Sequence, residues 1–354
     1  MKVMKIAKSK LPTVDFNNLG FGKYYGDHML VKIYENGVWK ESEIVPFGDM
    51  LLSPANITLH YSQSIFEGMK AFRGEDGVVR LFRPEKNITR LNFSAERMCI
   101  PQLDEKETLK ELMELISLDK AFTPSHLGSS LYIRPFIFAA DPALGVKVSD
   151  TYRFMIITTP VDAYYGRKLQ TLSIYATKEF TRAALGGTGH VKAAANYSQS
   201  LYAAKKALDK GYKQIMWLDG QEHKYVDEVG VMNIMFVIND TLITPTLDQG
   251  TILAGITRES VLFLAREMGW RVEERRIAFQ EILDASKNGS LQECFGTGTA
   301  ATIAPVGRIG YDDGKDIILN NNEVGPYAKK IYEQLLGIQY GKIEDKYGWT
   351  VEIK

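Results

Sequence analysis

Residues 186–197 read GGTGHVKAAANY, a glycine-rich loop that delivers one lysine, Lys192, into a run of small apolar residues. The loop has no Walker A pattern: Val191 rather than glycine precedes the lysine, and Ala193 stands where a metal-binding Ser or Thr would follow. An isolated lysine is ordinarily a solvated surface charge. Here Val191 and the alanines at 193–195 give it an unusually apolar neighbourhood. Two further glycine stretches lie downstream. GTGTAATIAP (296–305) matches a loose G-x-G-x-x-A pattern, but Pro305 and its β-branched run argue against the long helix that a dinucleotide site requires. LAGITRES (253–260) places a glycine and Thr257 at the head of an amphipathic helix, where free N–H groups and the helix dipole favour an anion. Each loop taken alone reads more readily as a glycine turn with a threonine cap. Together they point to a phosphorylated ligand.

Outward from the lysine, strands and helices alternate irregularly. Val31–Tyr34 and Val38–Trp39 flank Asn36-Gly37, a tight-turn signal, and a second hairpin is expected around 74–77. Pro84 heads a helix with Ile88, Leu91, Ala95 and Met98 at helical spacing, and Leu109 to Ile116 mark another. SLYIRPFIFA and YRFMIITT read as strands. Residues 160–170 lose periodicity and read as a connector. Beyond it the pattern predicts a helix over 197–210, the strand QIMWL, a strand pair through KYVDEVGVMNIMFVI and a helix over 257–268. The strand WRVEERRI, a helix over 281–287, the strand LQECF and a last helix over 328–336 complete it. No regular βαβ alternation emerges, so the expected class is α+β. The expected domains are a smaller N-terminal one (1–159), the connector (160–170) and a larger C-terminal one (171–354).

The 354 residues carry 43 Lys+Arg against 43 Asp+Glu, and the densest basic stretch, Arg271–Arg276, is interleaved with Glu273 and Glu274. That balance argues against a nucleic-acid or anionic-membrane binder. Two distant cysteines, Cys99 and Cys294, cannot form a disulfide framework, and five scattered histidines offer no metal pair, so no metal site is expected. The longest apolar run, Val229–Ile238, is too short to cross a bilayer, and the N-terminus lacks a signal-peptide core. A cytoplasmic protein is expected.

Eight ordered blocks carry a resemblance: FGKYYGDHML, LHYSQSIFEGMKAFRG, VRLFRPEKNITRLNFSA, LYIRPFIFAADPALGV, GGTGHVKAAANY, DEVGVMNI, LAGITRES and FGTGTA. The chain resembles the branched-chain aminotransferases, two-domain pyridoxal 5′-phosphate enzymes of fold type IV, in the type closer to the mammalian members. That resemblance implies α+β architecture, the cofactor between two domains, and a homodimer. It implies reversible transfer of the amino group from Leu, Ile or Val to 2-oxoglutarate, giving the branched 2-oxo acid and glutamate. Lys192 matches the lysine that condenses with the cofactor aldehyde and moves a proton, work suited to a desolvated primary amine. Tyr197 matches the tyrosine bonding the phenolic oxygen, and Glu228 the carboxylate facing the pyridine nitrogen. Arg90 matches the phosphate arginine. Ile256, Thr257 and Thr299 match the phosphate cradle.

For the substrate, the resemblance implies an apolar pocket of Phe21, Tyr61, Phe66 and Tyr132. Arg134 beside Tyr132 would receive the second carboxylate of glutamate, and the backbone at Thr299 and Ala300 the α-carboxylate. Tyr61 and the loop Leu144–Val146 would reach the neighbouring subunit's site, and Tyr164 belongs to a flap. An arginine inside the apolar strand LYIRPF is costly to bury without an anion. Two departures stand out: Val231 replaces a threonine of the mammalian members, and Ala301 and Ala304 replace a redox cysteine pair. Other fold type IV activities remain open, namely a D-amino-acid or (R)-amine transaminase or an aminodeoxychorismate lyase. A phosphate- or nucleotide-binding regulatory protein is a rival from another class.

Overall fold

Asn36 and Gly37 carry φ of 54° and 80° and join the strands His28–Glu35 and Val38–Trp39, pairing Glu35 with Val38 across a two-residue loop. Both positive φ values are what this loop demands, and Asn-Gly supplies them cheaply. The computed structural model describes residues 1–163, 169–312 and 315–354. Two units divide the chain. One comprises Met1–Arg167, Val191–Ala195 and Leu336–Lys354, the other Lys168–His190 and Asn196–Leu335.

The strands of the first unit are β1 (Lys2–Val3), β2 (His28–Glu35), β3 (Val38–Trp39), β4 (Glu43–Pro46), β5 (Ser64–Phe66), β6 (Met69–Arg73), β7 (Val79–Phe82), β8 (Ser130–Ala139) and β9 (Tyr152–Val161). They form a sheet in the order β1-β4-β2-β9-β8-β6-β7, with β3 on β2 and β5 on β8. Among the described residues only the β1–β4 pairing of this sheet is parallel. Helices α1 (Ile57–Tyr61), α2 (Pro84–Arg97) and α3 (Glu105–Asp119) accompany the sheet. Pro84 opens α2, where its missing N–H costs nothing, and Asp104 caps α3 by accepting from Glu107 N–H at 2.7 Å. Leu91, Ala95, Leu112, Leu115 and Ile116 pack on Leu30, Leu81, Ile133 and Phe154 in one core.

The second unit holds β10 (Leu172–Thr177), β11 (Gln214–Leu218), β12 (Val226–Val229), β13 (Met232–Ile238), β14 (Thr241–Thr244), β15 (Arg271–Glu274), β16 (Leu291–Gly298), β17 (Thr302–Gly310) and β18 (Ile317–Ile318). Helices α4 (Ala195–Ser198), α5 (Leu201–Asp209), α6 (Ile256–Glu267), α7 (Phe279–Lys287) and α8 (Pro326–Gln339) follow in chain order. Strand order is β12-β11-β10-β17-β16-β13-β14-β15, and β12 also pairs with β13. That extra pairing closes six strands into a barrel-like ring, with Glu228 opposite Asn233 at the seam. The final strand, β19 (Thr350–Ile353), returns to the first sheet and pairs with β7.

The α+β class holds, with mixed parallel and antiparallel pairing in the second sheet. Several expectations need amending. The domain boundaries expected from sequence differ from the observed units because β19 pairs with β7 and Val191–Ala195 runs beside β5. Pro160 and Val161 belong to β9, opposite Leu131 and Ser130, so the connector starts later. The helix expected over 197–210 is two helices. Ser200 Oγ donates to the Tyr197 carbonyl at 2.7 Å, offering the backbone a local alternative to helix. GTGTAATIAP is a β-hairpin, with Gly298 paired to Thr302. Among the described residues no helix is long and apolar enough to cross a membrane, and no three metal-ligating side chains cluster.

Candidate active site

In the first unit, the site is built on one face of α2. Asn87, Arg90 and Ser94 stand three and four residues apart and therefore share that face. Ser94 Oγ accepts from the Lys192 backbone N–H at 3.1 Å, and the Lys192 carbonyl accepts from Phe66 N–H at 3.1 Å. With Ala194 N–H donating to Ser64 and Ala193 bridged to Ile65, the lysine segment lies as an extra strand along β5. The Lys192 ammonium sits 4.7 Å from the centre of the Phe66 ring.

Glu67, which the sequence reading did not single out, joins these groups. Its side chain has no solvent exposure. Arg90 grips both of its oxygens, Nε to Oε1 at 2.7 Å and Nη2 to Oε2 at 3.0 Å. Asn87 Nδ2 and Gly68 N–H add bonds to Oε2 at 2.7 and 3.0 Å. Burial alone would raise this carboxyl. The charge and hydrogen bonds of Arg90, the Lys192 charge and Asn87 outweigh it, so the net direction is downward and Glu67 is a carboxylate.

One sheet face presents the expected substrate residues. Tyr132, Arg134 and Phe136 alternate along β8, and Phe66 pairs with Phe136. The Arg134 guanidinium lies 4.7 Å from the Phe66 ring centre and 5.3 Å from that of Tyr132, and Nη2 donates to the Tyr132 hydroxyl at 3.2 Å. Among the described residues Arg134 forms no ion pair, and its buried Nε makes no hydrogen bond. Phe21 packs edge-on against Tyr132 at 5.0 Å. Gly68 has no side chain to block the Tyr132 hydroxyl, which would lie 2.1 Å from a Cβ there. Lys70 pairs with Tyr132 across the ladder, and burial lowers its amine to about 7. Tyr61 is grouped elsewhere: its hydroxyl donates to the Leu144 carbonyl, next to highly exposed Val146. Tyr164 lies outside the described residues.

In the second unit, Glu228 is buried on β12. Arg182 Nη2 reaches its Oε2 at 2.5 Å, and Asn233 Nδ2 donates to its Oε1 at 3.1 Å. Asn233 also donates to the Leu253 carbonyl at 2.9 Å. This ties Glu228 to the loop that enters α6, where Ile256 and Thr257 occupy the first turn and are buried. Among the described residues no side chain caps α6; Gly255 is its N-cap, and a Cβ there would lie 2.0 Å from Asn233 Oδ1. Thr299 and Ala300 form the half-buried loop after β16, whose Thr297 pairs with Asn233. Thr297 Oγ1 is buried and has no hydrogen-bond partner among the described residues. Tyr197 is half-buried in α4. Val231 is exposed at the β12–β13 turn, and Ala304 is buried.

Asp227, beside Glu228, is lifted to about 6 by burial, against the pull of Arg182. Arg182 carried no local sequence signal, whereas Asn233 did, as the polar residue that interrupts the apolar run Val229–Ile238. Glu67 did too, as one acid inside the apolar block SIFEGM.

The amino-transferase class IV family model matches residues 64–309, which take in these elements apart from Phe21 and Tyr61. The chain belongs to that family. This aminotransferase is 47% identical over 352 residues to branched-chain-amino-acid aminotransferase 2 of Bacillus subtilis, covering 99% of this chain and 96% of that one. It is 48% identical over 341 residues to branched-chain-amino-acid transaminase 1 of the same organism, covering 96% and 95%. Among solved structures, the Escherichia coli branched-chain amino acid aminotransferase aligns with a TM-score of 0.74 at 28% identity, covering 93% of this chain and 99% of that one. A T.th. branched-chain amino acid aminotransferase with pyridoxamine 5′-phosphate aligns at 0.75 and 25% identity, covering 91% and 98%.

The residues of this chain fit such a cofactor. The first unit carries a primary amine at Lys192. The second carries a buried carboxylate at Glu228, a helix that starts at Gly255 and, among the described residues, has no side-chain cap, and a buried Thr297 hydroxyl without a partner among them.

Proposed function

We infer that this chain is a pyridoxal 5′-phosphate-dependent branched-chain-amino-acid aminotransferase, which transfers the amino group of Leu, Ile or Val to 2-oxoglutarate. The observation that carries the substrate reading is Arg134: a guanidinium held between two aromatic rings with no counter-ion among the described residues. The same wall then serves two substrates. The rings of Phe21, Phe66 and Tyr132 take a branched aliphatic side chain. When glutamate binds, Arg134 and the Tyr132 hydroxyl take its distal carboxylate, which supplies the missing charge.

When bound, the cofactor supplies the electron sink that makes the substrate Cα–H acidic. Lys192 would hold the cofactor through its primary amine, and its Nζ would take the proton from the substrate Cα. Glu228 would hold the ring nitrogen, and Tyr197 the phenolic oxygen. The first-turn N–H groups at Ile256 and Thr257, with Thr299, would hold the phosphate, and Arg90 would join them while keeping its pair with Glu67. The backbone at Thr299 and Ala300 would hold the substrate α-carboxylate, and Tyr164 is assigned to the substrate.

We further propose a homodimer. Leu51, Leu59, Tyr61, Leu144, Val146 and Val148 are all exposed, an apolar group that a second copy would cover. Tyr61 and Val146 then line the partner's pocket. Both cysteines are free, in keeping with a cytoplasmic enzyme.

The test is a half-reaction panel without acceptor: L-leucine, L-isoleucine, L-valine and L-glutamate against D-alanine and an (R)-amine. Conversion by the four L-amino acids alone is expected. Conversion by D-alanine or the (R)-amine, with leucine inert, would replace this reading with another activity of the same fold.

A further inference from the structure

Arg182 gathers two loops and a strand with one nitrogen. Its Nη2 lies 2.5 Å from Glu228 Oε2, 2.6 Å from the Thr251 carbonyl and 2.8 Å from the Gly189 carbonyl. Gly189 belongs to the glycine loop ahead of Lys192, Thr251 to the loop that leads into α6, and Glu228 to the seam of the barrel. Those two loops approach too closely for side chains: a Cβ on Gly189 would lie 2.4 Å from the Thr251 carbonyl oxygen. Gln199, at the break between α4 and α5, fixes the arginine's own backbone by donating to its carbonyl at 2.5 Å. Arg182 Nε is buried and makes no hydrogen bond among the described residues. A guanidinium that leaves one N–H orphaned is placed by what its other nitrogens must hold.

We infer that Arg182 is a positioning residue for catalysis, keeping Glu228 charged and aimed at the cofactor ring while locking the Gly189 and Thr251 loops to it; this rests on the reading of Glu228 given above. A buried carboxylate keeps its charge only with a cation and good hydrogen bonds. Asn233 supplies a hydrogen bond and Arg182 the cation bonded to it, while the charge of Arg258 also acts on Glu228. Without Arg182, Glu228 loses its bonded cation and its aim at the ring nitrogen, so removal of either residue impairs the same contact. Lysine restores the charge but, as a flexible point charge, places it less rigidly among the three acceptors.

The test compares holoenzymes of Arg182→Met, Arg182→Lys, Glu228→Gln and the double variant Arg182→Met/Glu228→Gln. The readouts are the visible spectrum of the bound cofactor, its dissociation constant and kcat with leucine. Arg182→Met should reproduce the altered spectrum of Glu228→Gln and lower kcat about 10²-fold, with Arg182→Lys between it and the parent. The double variant should be no worse than Glu228→Gln. Removing both charges leaves no Glu228 carboxylate stripped of its bonded cation, so that variant is expected to fold even where Arg182→Met does not. A parental spectrum in Arg182→Met, or losses that multiply in the double variant, would overturn the inference while leaving the function intact. A parent protein that gains no absorbance with pyridoxal phosphate, or a Glu228→Gln spectrum equal to the parent's, would instead remove the functional reading and this inference with it.

Discussion

In each unit a buried carboxylate is paired with an arginine and an asparagine, but the two arginines are used differently. In the first unit Arg90 meets Glu67 fork to fork, with Asn87 and the Gly68 N–H completing a side-chain cluster on the α2 face. In the second, Arg182 divides a single nitrogen between Glu228 and two backbone carbonyls, and Asn233 divides its amide between Glu228 and the Leu253 carbonyl. The first cluster is a closed local pair, set in an antiparallel sheet whose order runs from β1 to β19. The second is a junction of loops at the seam of a closed ring. Damage to the first should cost folding energy locally, whereas damage to the second should travel along the loops.

The largest effect expected is that of Lys192→Ala, which removes the amine beside Glu67. Turnover of leucine should fall by about 10³-fold or more, in line with the loss of covalent and acid–base catalysis, while cofactor affinity survives. Near-normal turnover would show that the first-unit cluster is only structural. Next comes Glu67→Gln, which strands the Arg90 charge. Urea unfolding should register a loss of about 3–5 kcal/mol, and an unchanged midpoint would break the description of a closed ion pair.

Asp227 sharpens the contrast because it adjoins the second carboxylate and titrates in reach of experiment. Its carboxyl lies at about 6 in the fold against an ordinary 3.8. The fold therefore disfavours its ionised form. Stability is unaffected by this group below pH 4, falls as pH rises toward 6, and stays lowered above it. Asp227→Asn should stabilise the protein by up to about 3 kcal/mol at pH 8, at 1.36 kcal/mol per pH unit, and by almost nothing at pH 4. A gain that does not depend on pH would contradict the buried acid. The smallest effect expected is that of Gly255→Ala, about 1–3 kcal/mol from overpacking. The new Cβ would collide with Asn233 Oδ1 and push the amide off Glu228. Thermal unfolding with and without pyridoxal phosphate would show whether the loss is larger in the cofactor-bound form, as a junction of loops requires.

Much of this was legible in the chain. Asn36-Gly37, Pro84 and the alternation of SLYIRPFIFA carry local physics strong enough to set their elements without help from the rest of the fold. The short buried strand β10 was missed because LSIYAT is apolar on nearly every residue and shows no period of two. The break at Ser200 was missed because a serine in an otherwise periodic helix gives no warning of its side-chain bond. Arg134 could be singled out because a charge in an apolar strand is conspicuous. Arg182 could not, since it sits in a loop where arginines are common, and its importance comes from residues 7, 46 and 69 positions away.

The most direct test of the account is the visible absorption of the purified protein, before and after leucine is added without an acceptor. The account predicts a yellow lysine-bound cofactor whose band bleaches with leucine and returns with 2-oxoglutarate. A protein that stays colourless after incubation with pyridoxal phosphate, or a band that leucine leaves untouched, would contradict it.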